Sequence, residues 1–343
     1  MKTRESNFEL LRILAMFMVL VIHANFISLP RPTALVLSAA PVATGFRFLI
    51  EFIGLMGVNV FILISGWFGI KPDARKVLKF VFPVLFFWLG GYLVCLLTGW
   101  ASLSWKGILE CFALTRWDWF IKAYAVLMIL APVLNAFADH ATERQLRNTV
   151  IAFFLFQSTY GWFGGASRFF VDGYGALSLI GLYLLARYAR IIHGKGRRTP
   201  FDFPRQVDLL IFLTTVILNT ILSLVFIGHT RILNGLLAYC NPLNILGALY
   251  LLLFFSKLKM KQSRCINWLG ASNFAVYLLH SQVDIRVIFN KIVVSLDETF
   301  QGVAAVGMIF LFLLATFFIS ILLDQVRIWI WNSLQNQWIK KHV

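Results

Sequence analysis

SNFELLRILAMFMVLVIHANFISL, residues 6–29, is the stretch that decides the fold. It is long enough for an α-helix to cross a hydrocarbon core of about 30 Å, which takes about 20 residues, yet it holds Glu9, Arg12 and His23. Ser6 and Glu9 have the S-x-x-E spacing of a capping box, so the sequence predicts a helix that begins at Asn7. Arg12 then lies a turn inside the span. It either snorkels to the near surface or pairs with Glu9, three residues earlier on the same helix. His23 follows Arg12 by eleven residues. At about 100° per residue that separation is roughly 20° past three full turns, so both side chains share a face, about 16 Å apart along the axis. An ionisable group at that depth is a functional candidate; the alternative is a histidine bonded to a neighbouring helix for packing.

The rest of the chain extends this reading. Of its 343 residues 59% are apolar and 13% charged, with 34 Phe and 11 Trp. A globular domain is about 45–50% apolar and about 25% charged, so charge is too scarce here to cover soluble surfaces. Disorder and collagen-like repeats are excluded on the same grounds. The sequence therefore predicts an all-α, polytopic membrane helix bundle.

Apolar runs fall at about 8–29, 46–70, 77–98, 117–138, 148–163, 170–190, 208–228, 238–258, 267–285 and 302–324, which predicts about ten transmembrane helices. The fifth run is short and the ninth is broken by polar residues. With the N-terminus in the cytoplasm, 21 Lys and Arg lie on the cytoplasmic side and 8 on the outer side. That bias obeys the positive-inside rule and places both termini in the cytoplasm. The formal net charge of +16 is accordingly assigned to topology and anionic lipid headgroups, not to nucleic acid. One membrane domain is expected over 1–343, with 325–343 as a cytoplasmic tail. A cleavable signal peptide is not expected, because the first apolar stretch far exceeds an h-region.

Other residue types say less. Cys95, Cys111, Cys240 and Cys265 have no CxxC spacing, and neither a disulfide framework nor a metal site is expected. His140, His193, His229 and His342 fall in predicted loops or the tail. Gly54, Gly57, Gly66 and Gly69 read as a helix-packing stripe. No Walker, Rossmann or zinc-ligand pattern is present.

Several blocks, in chain order, resemble the acyltransferase-3 family of integral membrane acyltransferases. They are Arg12 with His23 in the first helix; GVNVFILISGW at 57–67; Lys76 and Lys79 followed by Pro83; WFIKAYAVLMILAPVLN at 119–135; and Tyr277-Leu-Leu-His280. The resemblance covers nearly the whole chain. It departs from the family where Lys76 and Lys79 stand in place of the Arg of many relatives; Lys binds phosphate as a point charge without a bidentate fork. The soluble esterase-like domain that some relatives carry has no counterpart in these residues.

The resemblance implies transfer of an acyl group, acetyl above all, from acyl-CoA to a hydroxyl of an envelope polysaccharide or its lipid-linked precursor, in a bacterial inner membrane. The implied partners are membrane lipid, acyl-CoA (acetyl-CoA as co-substrate) and a carbohydrate acceptor, with no metal. His23 would serve as general base or as acyl-accepting nucleophile, since imidazole titrates near neutrality. Glu51 would orient it. Lys122 and Tyr124, with Asn59 and Ser65, would stabilise the tetrahedral oxyanion. Arg12, Lys76, Lys79 and Ser65 would hold the coenzyme, and Asn59, Trp119 and His280 the acceptor; catalysis at His280 and a packing role there stay open. Trp117 is read as an interfacial belt residue beside Asp118, and Asp284 as a turn above His280. The competing class is a secondary transporter or flippase of a lipid-linked sugar, which would also place polar residues and broken helices inside a bundle.

Overall fold

The computed structural model describes residues 4–114, 119–164, 169–195 and 199–342, with side chains to residue 335. Trp117 and Asp118, and the side chain of His342, lie outside them. Among the described residues the chain is all helical.

Six helices are long and apolar enough to cross a membrane: Ser6–Ser28, Pro41–Phe68, Ala74–Leu97, Trp119–His140, Arg205–Val225 and Gly302–Gln335. The first is α1 (Ser6–Ile22) continued by a π-helical turn, His23–Ser28. The next three are α3 (Pro41–Phe68), α4 (Ala74–Leu97) and α6 (Trp119–His140), with the short α2 (Ala34–Ala39) and α5 (Trp105–Cys111) between them. The other four apolar runs form shorter pieces. They are α7 (Glu143–Phe156) with a π-turn, Gln157–Phe163; α8 (Ala176–Ile192); α11 (Pro242–Ser256), after α9 (Arg205–Val225) and α10 (Thr230–Leu236); and the pair α12 (Arg264–Ala271) and α13 (Asn273–Ser281). α11 has 15 residues and rises only about 22 Å. It can be short because it is interior: α3 and α9 cover it.

α3 is the centre of the bundle. It packs along α1, α8, α11 and α9. Two glycines let it do so. A Cβ on Gly57 would lie 2.6 Å from the Ala15 carbonyl oxygen of α1, and one on Gly66 would lie 2.4 Å from that of Tyr183 in α8. Any side chain at either position would push a helix away.

The start of α1 departs from the sequence reading. The helix begins at Ser6, and its cap position, Glu5, makes no side-chain bond. The Ser6 hydroxyl is drawn off to another segment, where it accepts the Ser263 N–H at 2.8 Å and sits 2.9 Å from the Gln262 and Asn267 side-chain oxygens. The Glu9 carboxylate pairs with Arg4 and Arg12 instead of closing a capping box.

The end of the chain also differs. After α14 (Val283–Phe300), α15 runs unbroken from Gly302 to His342, 41 residues or about 60 Å of helix. Residues 308–342 contain no glycine or proline to stop it. Arg327 clasps Asp324 through two bonds of 2.8 Å, which carries the helix past the predicted end of the span.

Candidate active site

A cavity of about 730 Å³ opens between α1, α3, α4, α6 and α13. Arg12 and His23 both line it, so the face they share on α1 is the face that looks into the bundle. Around Arg12 the walls carry Lys76, Lys79, Ser65 and Tyr124. Ser65 donates to the Phe61 carbonyl at 2.9 Å, which leaves the Tyr124 phenol, 3.3 Å away, to donate to Ser65. Arg12 lies 5.8 Å from the centroid of the Phe68 ring and is held by Glu9, itself 2% exposed.

The middle of the cavity is aromatic. Phe80 stacks on Phe274 at 5.6 Å and lies tilted against Tyr124 at 5.5 Å; Phe120 meets Tyr277 edge-on at 5.4 Å. These rings come from α4, α6 and α13 and form an aromatic sleeve.

The His23 end is wider in its chemistry. Trp119, Tyr174, Tyr239 and Arg286 line it. Trp119 packs edge-on against Tyr174 at 4.8 Å, and Tyr174 against Tyr239 at 5.0 Å. No hydrogen bond involves the Tyr239 hydroxyl or the Trp119 indole N–H among the described residues. Asn59 sets the position of Tyr239 by donating to its backbone oxygen at 3.0 Å.

His23 begins the π-helical turn, a local widening that recurs at functional sites. Ser28 donates to the His23 carbonyl at 2.8 Å and ties the turn down. Nδ1 of His23 lies 2.8 Å from Nε2 of His280, and Nδ1 of His280 lies 2.5 Å from the Val276 carbonyl oxygen. His280 is 1% exposed and stands behind His23, outside the cavity lining.

The sequence profile of the acyltransferase-3 acyltransferase domain matches residues 5–325, nearly the whole chain. This protein belongs to the acyltransferase-3 family. No curated protein and no solved structure matches it. It is therefore a multi-pass integral membrane acyltransferase, in agreement with its six long apolar helices.

Measured against that family reading, the eleven residues singled out from the sequence divide into two groups. His23, Tyr124, Arg12, Lys76, Lys79, Ser65 and Trp119 share the cavity. Glu51, Asn59, Lys122 and His280 do not line it. Glu51 is buried and accepts from Asn25 at 2.9 Å, while Asn25 in turn receives the Arg47 Nε–H at 3.0 Å. The carboxylate thus holds the π-helical turn, and the group bonded to His23 is an imidazole. Lys122 is exposed on α6.

Lys76 and Lys79 also part company. The Lys76 ammonium reaches Asp73 at 3.0 Å and the Lys71 carbonyl at 2.5 Å. The Lys76 backbone N–H and then its side chain hold the Asp73 carboxyl below its ordinary range. Lys79 has no bonded partner among the described residues.

Arg286, Tyr174 and Tyr239 were missed by sequence reasoning. Arg286 lies past the break between α13 and α14, and the two tyrosines sit in connections, so no helical period links them to His23. Among the described residues no group of three or more His, Cys, Asp or Glu gathers.

Proposed function

We propose that this acyltransferase moves an acetyl group from acetyl-CoA to a hydroxyl of an envelope polysaccharide or its lipid-linked precursor, with His23 at the reacting centre. One observation carries the reading: a single cavity joins a cationic end, Arg12 with Lys79, to an aromatic end that holds His23.

The coenzyme's phosphates are anionic groups that Arg and Lys recognise. With them at Arg12 and Lys79, the pantetheine arm runs through the aromatic sleeve and brings the thioester to His23. The faces of a sugar are apolar and its edges are hydroxyls, which suits Trp119 and Tyr239 with their ring faces and polar edges. His23 takes the proton of the acceptor hydroxyl as the C–O bond forms. The tetrahedral oxyanion meets the positive charge of Arg286. The C–S bond then breaks, and the proton passes to the departing thiolate. In the covalent variant the imidazole attacks the thioester first, the C–S bond breaks and the thiolate leaves; the acceptor hydroxyl then takes the acyl group from the imidazole, and its proton goes to the thiolate.

The topology we infer has ten passes with both termini in the cytoplasm of a bacterial inner membrane. Its support is the distribution of Lys and Arg, and the placement of Lys76, Lys79 and Arg12 at the cavity end nearer the N-terminus. The whole chain acts as one domain.

The test is transfer by purified protein in lipid nanodiscs, given acetyl-CoA and the polysaccharide fraction of the envelope. Free coenzyme thiol and alkali-labile acetyl ester should appear in equal amounts. Ester formation from no acyl-CoA of any chain length would contradict the reading.

A further inference from the structure

The hydrogen bonds behind His23 fix which of its nitrogens can react. A carbonyl oxygen only accepts, so the 2.5 Å contact with Val276 requires the proton of His280 to sit on Nδ1. In a neutral imidazole the other nitrogen is then a bare acceptor. His280 Nε2 is that acceptor, and the atom 2.8 Å from it, His23 Nδ1, must be the donor. His23 Nε2 is left with its lone pair. The opposite tautomer would set two lone pairs against each other at this distance.

We propose that His280 is a positioning residue that locks His23 in the Nδ1-protonated tautomer, so that Nε2 is the base or nucleophile presented to the cavity. The proposal rests on the reading of His23 as the reacting group. It adds which atom acts and what holds it.

Both ends of the relay are built rigidly. His280 is fully buried, with Phe289 at 5.8 Å and Tyr277 at 6.1 Å from its ring. The two imidazole rings are tilted by 58° with centroids 4.8 Å apart, an edge-on bond and not a stack. Beyond His280 the chain leaves the helix at Gln282, whose side chain caps α14 by accepting the Ile285 N–H at 2.8 Å. That break ends α13 immediately after the histidine and fixes its depth. On the other side, the Ser28 bond to the His23 carbonyl holds the turn that aims the ring.

The arrangement does the work that a buried carboxylate does in an Asp–His pair, with a carbonyl-anchored imidazole in its place. When Nε2 takes the acceptor proton, the positive charge is shared across the bond between the two rings. It cannot pass further, because the His280 Nδ1–H already ends on a carbonyl. The proton is therefore retained in the pair until the thiolate leaves and takes it from Nε2.

The experiment uses the full chain with ¹⁵N-labelled histidine in detergent micelles. Side-chain nitrogen shifts of His23, assigned with His23→Gln, are read together with the rate of acetyl transfer in wild type, His280→Gln and His280→Leu. Wild type should show protonated Nδ1 and bare Nε2 at His23. His280→Gln keeps an acceptor oxygen near the Nε2 position and should preserve both the tautomer and most of the rate. His280→Leu should give mixed tautomers and lower kcat on the order of 10²-fold, as expected when a general base loses its orientation, with KM for acetyl-CoA unchanged. A wild-type His23 protonated on Nε2, or an unaltered His23 spectrum in His280→Leu, would overturn the proposal. The wild-type spectrum alone decides the matter should the leucine variant not fold. Full transfer by His23→Gln would sink the functional reading separately, since the spectra report on the hydrogen bond whatever His23 does.

Discussion

Arg12 and His23 open onto one cavity although the last ten residues of α1 lie between them. The helix between them is a ruler of about 16 Å. One end holds the guanidinium that Glu9 braces, the other holds the imidazole that His280 braces. Displacing α1 therefore disturbs both groups at once, whereas changes at the walls separate them.

The donor end should depend on Lys79 more than on Lys76. Lys76 is already engaged by Asp73 and by the Lys71 carbonyl. Lys79→Ala should raise the apparent KM for acetyl-CoA several-fold and Lys76→Ala by less, with kcat little changed in both; steady-state kinetics at low ionic strength is the measurement. Because the Asp73 carboxyl is held below its ordinary range, it stays ionised as pH falls through that range and protonates only lower. The ranking of the two variants should consequently be the same at pH 5 and pH 8.

Glu9→Gln should loosen Arg12. The carboxylate is buried and bridges Arg4 and Arg12, so its neutral replacement leaves both guanidinium groups without their counter-charge. We expect a raised KM for acetyl-CoA and a lower thermal midpoint in detergent, from a destabilisation of about 1–3 kcal/mol. An unchanged KM would show that Arg12 needs no brace.

Gly57→Ala should push α1 off α3, because its Cβ would meet the Ala15 carbonyl oxygen at 2.6 Å. Overpacking of this kind costs about 1–3 kcal/mol. Transfer activity should fall with stability, since both Arg12 and His23 ride on α1. Gly90→Ala on α4, where a Cβ meets nothing within 4 Å, is the control and should be neutral by thermal unfolding.

Trp119→Ala should uncouple the two half-reactions. The ring lies at the His23 end and outside the cationic end. Acetyl-CoA hydrolysis measured without acceptor should be unchanged from wild type, while acetyl ester on the polysaccharide fraction should drop about tenfold, the loss of roughly 1.4 kcal/mol of acceptor binding.

Local sequence carried the parts of this protein that depend on one helix. The span at residues 6–29, the pairing of Arg12 with Glu9 and the shared face of Arg12 and His23 all follow from helical periods. The family blocks brought Lys79, Ser65, Trp119 and Tyr124 into the same site. The sequence misled where a side chain had a better partner far along the chain. Ser6 leaves its cap for Ser263, and Glu51 serves Asn25. It was silent where helices break. α13 stops at Ser281, and that break sets His280 behind His23 and brings Arg286 to the cavity from a different helix. Apolar run length also overstated what an interior helix requires, as the 15 residues of α11 show.

The most direct test of the account is acetyl transfer by His23→Ala against wild type, both purified, folded and reconstituted in nanodiscs, with acetyl-CoA binding measured in parallel. The account predicts unchanged acetyl-CoA affinity and a rate lowered by about 10²–10⁴-fold, the contribution of a positioned general base. A variant that binds acetyl-CoA and transfers acetyl at the wild-type rate would contradict it.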